Sequence, residues 1–224
     1  MKKFLRHNAI GLVFGGLFLV VLIGQAFAGL AFFNEAQRAA GLPDVSFWRY
    51  VTSASFGVDV AENWQSEYLQ FFLFILLTVW LLQKGSPESK SLDKAGLETD
   101  EDQKIGRYAD ENSPKWARAG GWRTRIFSSS LGLVMGVIFL GSWVAQSVAG
   151  VAAFNEEQLS ERQDPVSWGQ YVLGADFWNR TLQNWQSELL AVASMAILAI
   201  YLRQRGSSQS KPVGAPHDAT GVEG

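Results

Sequence analysis

No cysteine occurs anywhere in the 224 residues. That absence excludes a disulfide framework, a thiolate nucleophile, an iron–sulfur cluster and a thiolate zinc site. Histidine is scarce: His7 and His217 are the two, one near each end of the chain. A histidine-centred metal site or triad is therefore not expected, and neither is any cofactor. A surplus of one charge is missing as well, since 19 basic residues face 21 acidic ones. A general nucleic-acid binder needs a basic excess, so nucleic acid is not expected as a partner. No nucleotide-binding loop, HExxH helix or nucleophile elbow occurs, and the pairs Gly15-Gly16 and Gly120-Gly121 stand alone. No enzymatic activity is expected of such a chain.

The averages, 48% hydrophobic and 18% charged with mean hydropathy +0.05, would suit an ordinary soluble domain. The distribution does not. Residues 9–33 carry no charge and one strongly polar side chain, Gln25. That run exceeds the roughly 20 residues that cross a bilayer. A second run reaches spanning length as a helix over 63–82, a third covers 127–154, and a fourth covers 184–202 with Glu188 its only charge. The expected fold is an all-α integral membrane protein with four transmembrane helices and the lipid bilayer as its first partner. The N-terminal run has the look of a signal peptide, with Lys2, Lys3 and Arg6 before it and Ala26-Phe27-Ala28 as a cleavage-like site. Its length, and the equivalent segment in mid-chain, point to a retained helix instead.

The two halves match without gaps at an offset of 121 residues. Phe33-Asn34-Glu35 recurs as Phe154-Asn155-Glu156, Tyr50-Val51 as Tyr171-Val172, and Asn63-Trp64-Gln65-Ser66-Glu67 as Asn184-Trp185-Gln186-Ser187-Glu188. Such self-similarity reads as a duplication. Each unit is a helix, a polar loop and a helix, so both units keep the same orientation: a first repeat over 4–84 and a second over 125–205. Between them, 85–124 reads as a charged, mostly disordered linker, and 206–224 as a disordered tail. Fifteen basic residues fall in the N-terminus, in the stretch from Lys84 to Arg125 and in that from Arg203 to Lys211, against Arg38, Arg49, Arg162 and Arg180 in the loops within the repeats. That bias places both termini and the linker in the cytoplasm. Trp116, Trp122, Arg118, Arg123 and Arg125 read as a juxtamembrane anchor.

Two stripes hold the candidate site residues. Gly11, Gly15, Phe18, Leu22, Gln25 and Gly29 share one helix face, as do Gly132, Gly136, Phe139, Trp143, Gln146 and Gly150. These are either a helix-packing seam or, through Gln25 and Gln146, the lining of a polar pathway. On the second helices, Glu67 and Glu188 are the only charges near membrane depth, and a facing pair would hold a proton or a cation. The competing reading makes Asn63 and Asn184 helix N-caps, with Trp64 and Trp185 in the outer aromatic belt and Trp80 and Tyr201 in the inner one. Asn34, Glu35, Asn155 and Glu156 end the first helices on the same outer side. Between the clusters, 45–56 with Phe47, Trp48 and Tyr50 reads as an interfacial helix.

The doubled Phe-Asn-Glu and Asn-Trp-Gln-Ser-Glu motifs, on helix pairs joined by a charged linker, resemble an uncharacterised bacterial membrane-protein family whose domain has no assigned function. The resemblance covers about 4–90 and 125–211. It implies a multi-pass protein of the bacterial cytoplasmic membrane and supplies no catalytic residues. The expected role is structural or accessory, through self-association or another membrane protein. A small ion or proton conductor built on Glu67 and Glu188 is the alternative, and a membrane enzyme is the remotest.

Overall fold

A computed structural model describes residues 2–222, and every regular element among them is helical. In chain order these are α1 (Lys2–His7), α2 (Ala9–Ala39), α3 (Phe47–Val51), α4 (Ala54–Leu77), α5 (Lys115–Ala119), α6 (Gly121–Ser128), α7 (Ser130–Ser160), α8 (Trp168–Leu173) and α9 (Ala175–Tyr201), with a 3₁₀ turn at Gly106–Tyr108. Two of them, α2 and α7, are long and apolar enough to cross a membrane: each has 31 residues, with mean hydropathy 2.3 and 1.8 in its best window.

The other two long helices depart from their expected limits, and the departure is chemical. Ser53 Oγ accepts the Phe56 N–H at 3.3 Å and caps the start of α4 nine residues before Asn63. The helix thereby takes in Asp59 and Glu62 as well as Glu67. α9 likewise starts at Ala175 and takes in Asp176 and Arg180 ahead of Glu188. Asn63 and Asn184 therefore lie inside helices and cap nothing; the Asn184 side chain donates back to Arg180 O at 2.9 Å. The interfacial helix expected over 45–56 shrinks to α3, because its second half is the first turn of α4. At the far end, α4 stops at Leu77, where Thr78 Oγ1 donates to Phe74 O at 2.6 Å. Trp80 lies beyond that end, whereas Tyr201 closes α9.

The chain forms two compact units, Met1–Ala61 with Ala145–Val172, and Glu62–Val144 with Leu173–Gly224. In the first, the front half of α2 carries its apolar side chains exposed, from Ile10 to Ile23. A Cβ added at Gly11 or Gly15 would meet no atom of the described residues within 4 Å. In the second unit the equivalent glycines are covered. A Cβ on Gly136 would lie 3.1 Å from the Phe72 ring, and one on Gly132 would lie 3.9 Å from Ile75, so α7 and α4 approach closely there.

The linker and the tail carry defined bonds where composition pointed to disorder. Gly96 N donates to Val79 O at 2.7 Å, and Lys90 pairs with Glu98 at 2.9 Å. The Lys90 ammonium, with help from Gln103, holds the Glu98 carboxyl below its ordinary range. Trp116 and Trp122 stack edge to face at 6.0 Å, and Thr124 Oγ1 donates to Trp116 O at 2.7 Å.

Candidate functional site

In the first unit the chain turns back on itself at two elbows built from the same parts. Asn34 is buried near the end of α2, and its amide does two jobs: Nδ2 donates to Val45 O at 3.1 Å and Oδ1 accepts the Val45 N–H at 2.8 Å. Asn155 does the same for Val166, at 2.9 and 2.7 Å. An asparagine side chain offers one donor and one acceptor edge, which matches one extended residue of backbone. Both loops are thus stitched to the helices that precede them. Beside each stitch a tyrosine lies over a glycine. A Cβ on Gly29 would collide with Tyr50, and one on Gly150 would collide with Tyr171, so a larger residue at either glycine would displace a ring. Tyr50 packs between Phe33 and Phe56 at 5.6 and 5.5 Å. Burial, and then the nearby Asp59 charge, raises its phenol above the usual tyrosine value.

Of the residues singled out by pattern, Glu35 and Glu156 are exposed, and Gln25 is half-buried. Glu156 reaches a cleft of about 300 Å³ whose other walls include Gln37, Arg49 and Tyr50. Gln146 is fully buried. The second elbow has one bond more, from Trp168 Nε1 to Ser147 Oγ at 3.0 Å.

In the second unit the two copies of the pentapeptide meet. Trp185 Nε1, from the second copy, donates to Gln65 Oε1 of the first at 2.7 Å. That bond fixes which end of the Gln65 amide is oxygen, since an indole only donates. Gln65 is 0% exposed, yet among the described residues its Nε2 has no hydrogen-bond partner, and neither has the indole N–H of Trp143. The surrounding wall is aromatic: Trp143 stacks on Phe177 at 6.1 Å and lies 5.7 Å from Trp185, with Phe139 6.3 Å from Trp185. Glu67 is exposed and Glu188 half-buried, and the two carboxylates lie within electrostatic reach of each other. On the same side chains' flank, Arg180 bridges Glu62 at 3.5 Å and Asp176 at 3.3 Å. Chemically the cluster can offer buried N–H donors, Gln65 Nε2 and Trp143 Nε1, to a small acceptor. Among the described residues no group of three His, Asp or Glu side chains is placed to hold a metal ion.

The whole described chain falls under one family model, matched over residues 1–222 and carrying the description "Domain of unknown function (DUF6766)". The chain belongs to this family. No curated protein and no solved structure matches it.

Sequence reasoning singled out Glu67 and Glu188 as counterparts and missed three groups. The Glu62–Arg180–Asp176 ion pairs have no echo at the 121-residue offset, where Gln183 answers Glu62 and Asp59 answers Arg180. Trp143 was read as one position of a packing stripe; its counterpart is Leu22. The tyrosine-on-glycine contacts did leave a signal, because Gly29 and Tyr50 recur together as Gly150 and Tyr171.

Proposed function

We propose that this is a multi-pass protein of the bacterial cytoplasmic membrane, with four spans in two parallel repeats and both termini on the cytoplasmic side. It acts as a structural or accessory membrane component rather than as an enzyme. The observation that supports this most is α2: a helix of this length and hydropathy whose front half exposes nearly every apolar side chain. Such a surface is stable in hydrocarbon and costly in water. α4 and α9 supply the other two spans: no acidic residue follows Glu67 in α4 or Glu188 in α9, and apolar residues such as Leu76, Ile197 and Leu198 are exposed beyond them. The glycine face at Gly11 and Gly15, where an added Cβ meets no atom of the described residues within 4 Å, suits close association with another copy or another membrane protein. Topology is tested by reporter fusions in a bacterial host, one at Asp44 and one at Gly85. The expected outcome is a periplasmic signal at Asp44 and a cytoplasmic one at Gly85; a cytoplasmic signal at Asp44 overturns the orientation.

A second reading draws on the closeness of Glu67 and Glu188. A carboxylate pair that shares one proton is a carrier site for protons or cations. In proteoliposomes, Glu67→Gln combined with Glu188→Gln then removes a proton or cation flux that the unaltered chain supports. Identical flux in both preparations, or none in either, sinks this reading and leaves the accessory role.

A further inference from the structure

Directly after each second helix the chain makes the same small loop, Gly-Ser-x-x-Ser-Lys. It runs over 85–90 after α4 and over 206–211 after α9. In the first, Ser89 Oγ accepts the Gln83 N–H at 3.0 Å, and Ser86 Oγ accepts the Glu88 N–H at 3.3 Å. In the second, Ser210 Oγ accepts the Gln204 N–H at 2.9 Å, and Ser207 Oγ accepts the Gln209 N–H at 3.2 Å. Each loop ends by aiming a lysine at the chain that follows. Lys90 donates to Gly96 O at 3.0 Å and pairs with Glu98.

Lys211 does more. It is 1% exposed and sits among four carbonyl oxygens: Gly85 at 2.6 Å, His217 at 2.8 Å, Pro216 at 3.2 Å and Ala219 at 3.3 Å. An ammonium has three N–H donors, so the cage satisfies it without a carboxylate. Three of the carbonyls belong to the tail, and the fourth belongs to the loop after α4. Two further bonds run beside it, Gly85 N to Thr220 Oγ1 at 2.8 Å and Gly221 N to Ser86 O at 3.0 Å. Gly85 has a left-handed φ of 86°, and a Cβ there would lie 2.4 Å from His217 O, so this approach needs glycine. Arg203, at the root of the tail, donates to Ala215 O at 3.0 Å and holds the return path. The loop that the tail grips also lines a cleft of about 260 Å³ between α4 and α9, where Ser86, Glu88 and Ser89 join Leu77, Leu189 and Val192.

We infer that residues 203–221 are a strap, clipped by Lys211 to the loop after α4, which ties the trailing ends of α4 and α9 together. The chain has no cysteine, so a pair introduced as Ser86→Cys and Thr220→Cys reports strap closure without background. The full chain in lipid nanodiscs is oxidised with copper phenanthroline, and the cross-linked fraction is read on a gel. Most of the protein cross-links when Lys211 is present. Lys211→Met keeps the length of the side chain and removes the donors; it lowers the cross-linking rate about five-fold or more, the effect of roughly 1 kcal/mol. Lys90→Met, outside the strap, leaves the rate unchanged. Equal cross-linking with Lys211→Met, or none in its presence, overturns the strap. Hydrogen exchange on the unaltered chain gives an independent reading: the Gly85 and Gly221 amides exchange slowly if the strap is closed, and exchange at the unprotected rate overturns it as well.

Discussion

Two copies of one pentapeptide, Asn-Trp-Gln-Ser-Glu, occupy opposite kinds of surroundings, whereas the two elbows that precede them are nearly superposable in their bonds. At the first copy, Gln65 and Ser66 are sealed from solvent; at the second, Gln186 and Ser187 are exposed. Trp185 is drawn into an aromatic wall and bonded to Gln65, while Trp64 is 42% exposed. The elbows show no such split, since Asn34 and Asn155 hold Val45 and Val166 through the same pair of bonds. The difference lies in what each motif needs from elsewhere. An elbow is complete within about a dozen residues, so a copied sequence carries its structure along. A helix position in mid-chain takes its surroundings from whichever neighbour packs there, and the neighbours have diverged: Trp143 stands opposite one copy where the other repeat has Leu22.

The sharpest way to break this comparison is to truncate the same indole in both copies. Trp185→Ala removes two ring contacts, with Phe139 and Trp143, and the bond to Gln65, and leaves a buried amide with neither end paired. The loss should be about 3 kcal/mol, in the range of large-to-small changes in packed surroundings. Trp64→Ala should cost below about 1 kcal/mol, as exposed substitutions do. Unfolding midpoints of the two variants in the same micelles decide the matter: equal losses would mean that the two copies are alike after all.

How far the residues revealed this arrangement in advance follows the same division. Helical periodicity, uncharged runs and the 121-residue offset made the four long helices legible, because they rest on local chain properties. The helix limits were less so. Asn63 looked like a cap, yet Ser53 caps the helix ten residues earlier, and both are good capping residues. Only the course of the preceding loop chooses between them. That Glu67 and Glu188 are counterparts was legible from the repeat alone. The cage around Lys211 was not, because its acceptors are backbone carbonyls, which every residue has, and the bonds span up to 126 positions. A low-complexity composition said nothing about them.

The elbows supply the finer test, because they demand equality rather than contrast. Asn34→Ala leaves the Val45 N–H and C=O without the side chain that pairs them, and Asn155→Ala does the same to Val166. Each should cost about 1–3 kcal/mol, the penalty for stranding buried or half-buried backbone groups. The two losses should agree within about 0.5 kcal/mol, and they should add in the double variant, as separate sites do. The second elbow has a Trp168–Ser147 bond that the first lacks, since Phe47 and Ala26 stand at the matching positions. If Asn155→Ala proves the milder change by more than that margin, the extra indole bond carries part of the second elbow. Adding Trp168→Phe to Asn155→Ala should then remove the gap, and thermal unfolding of the four variants is enough to show whether it does.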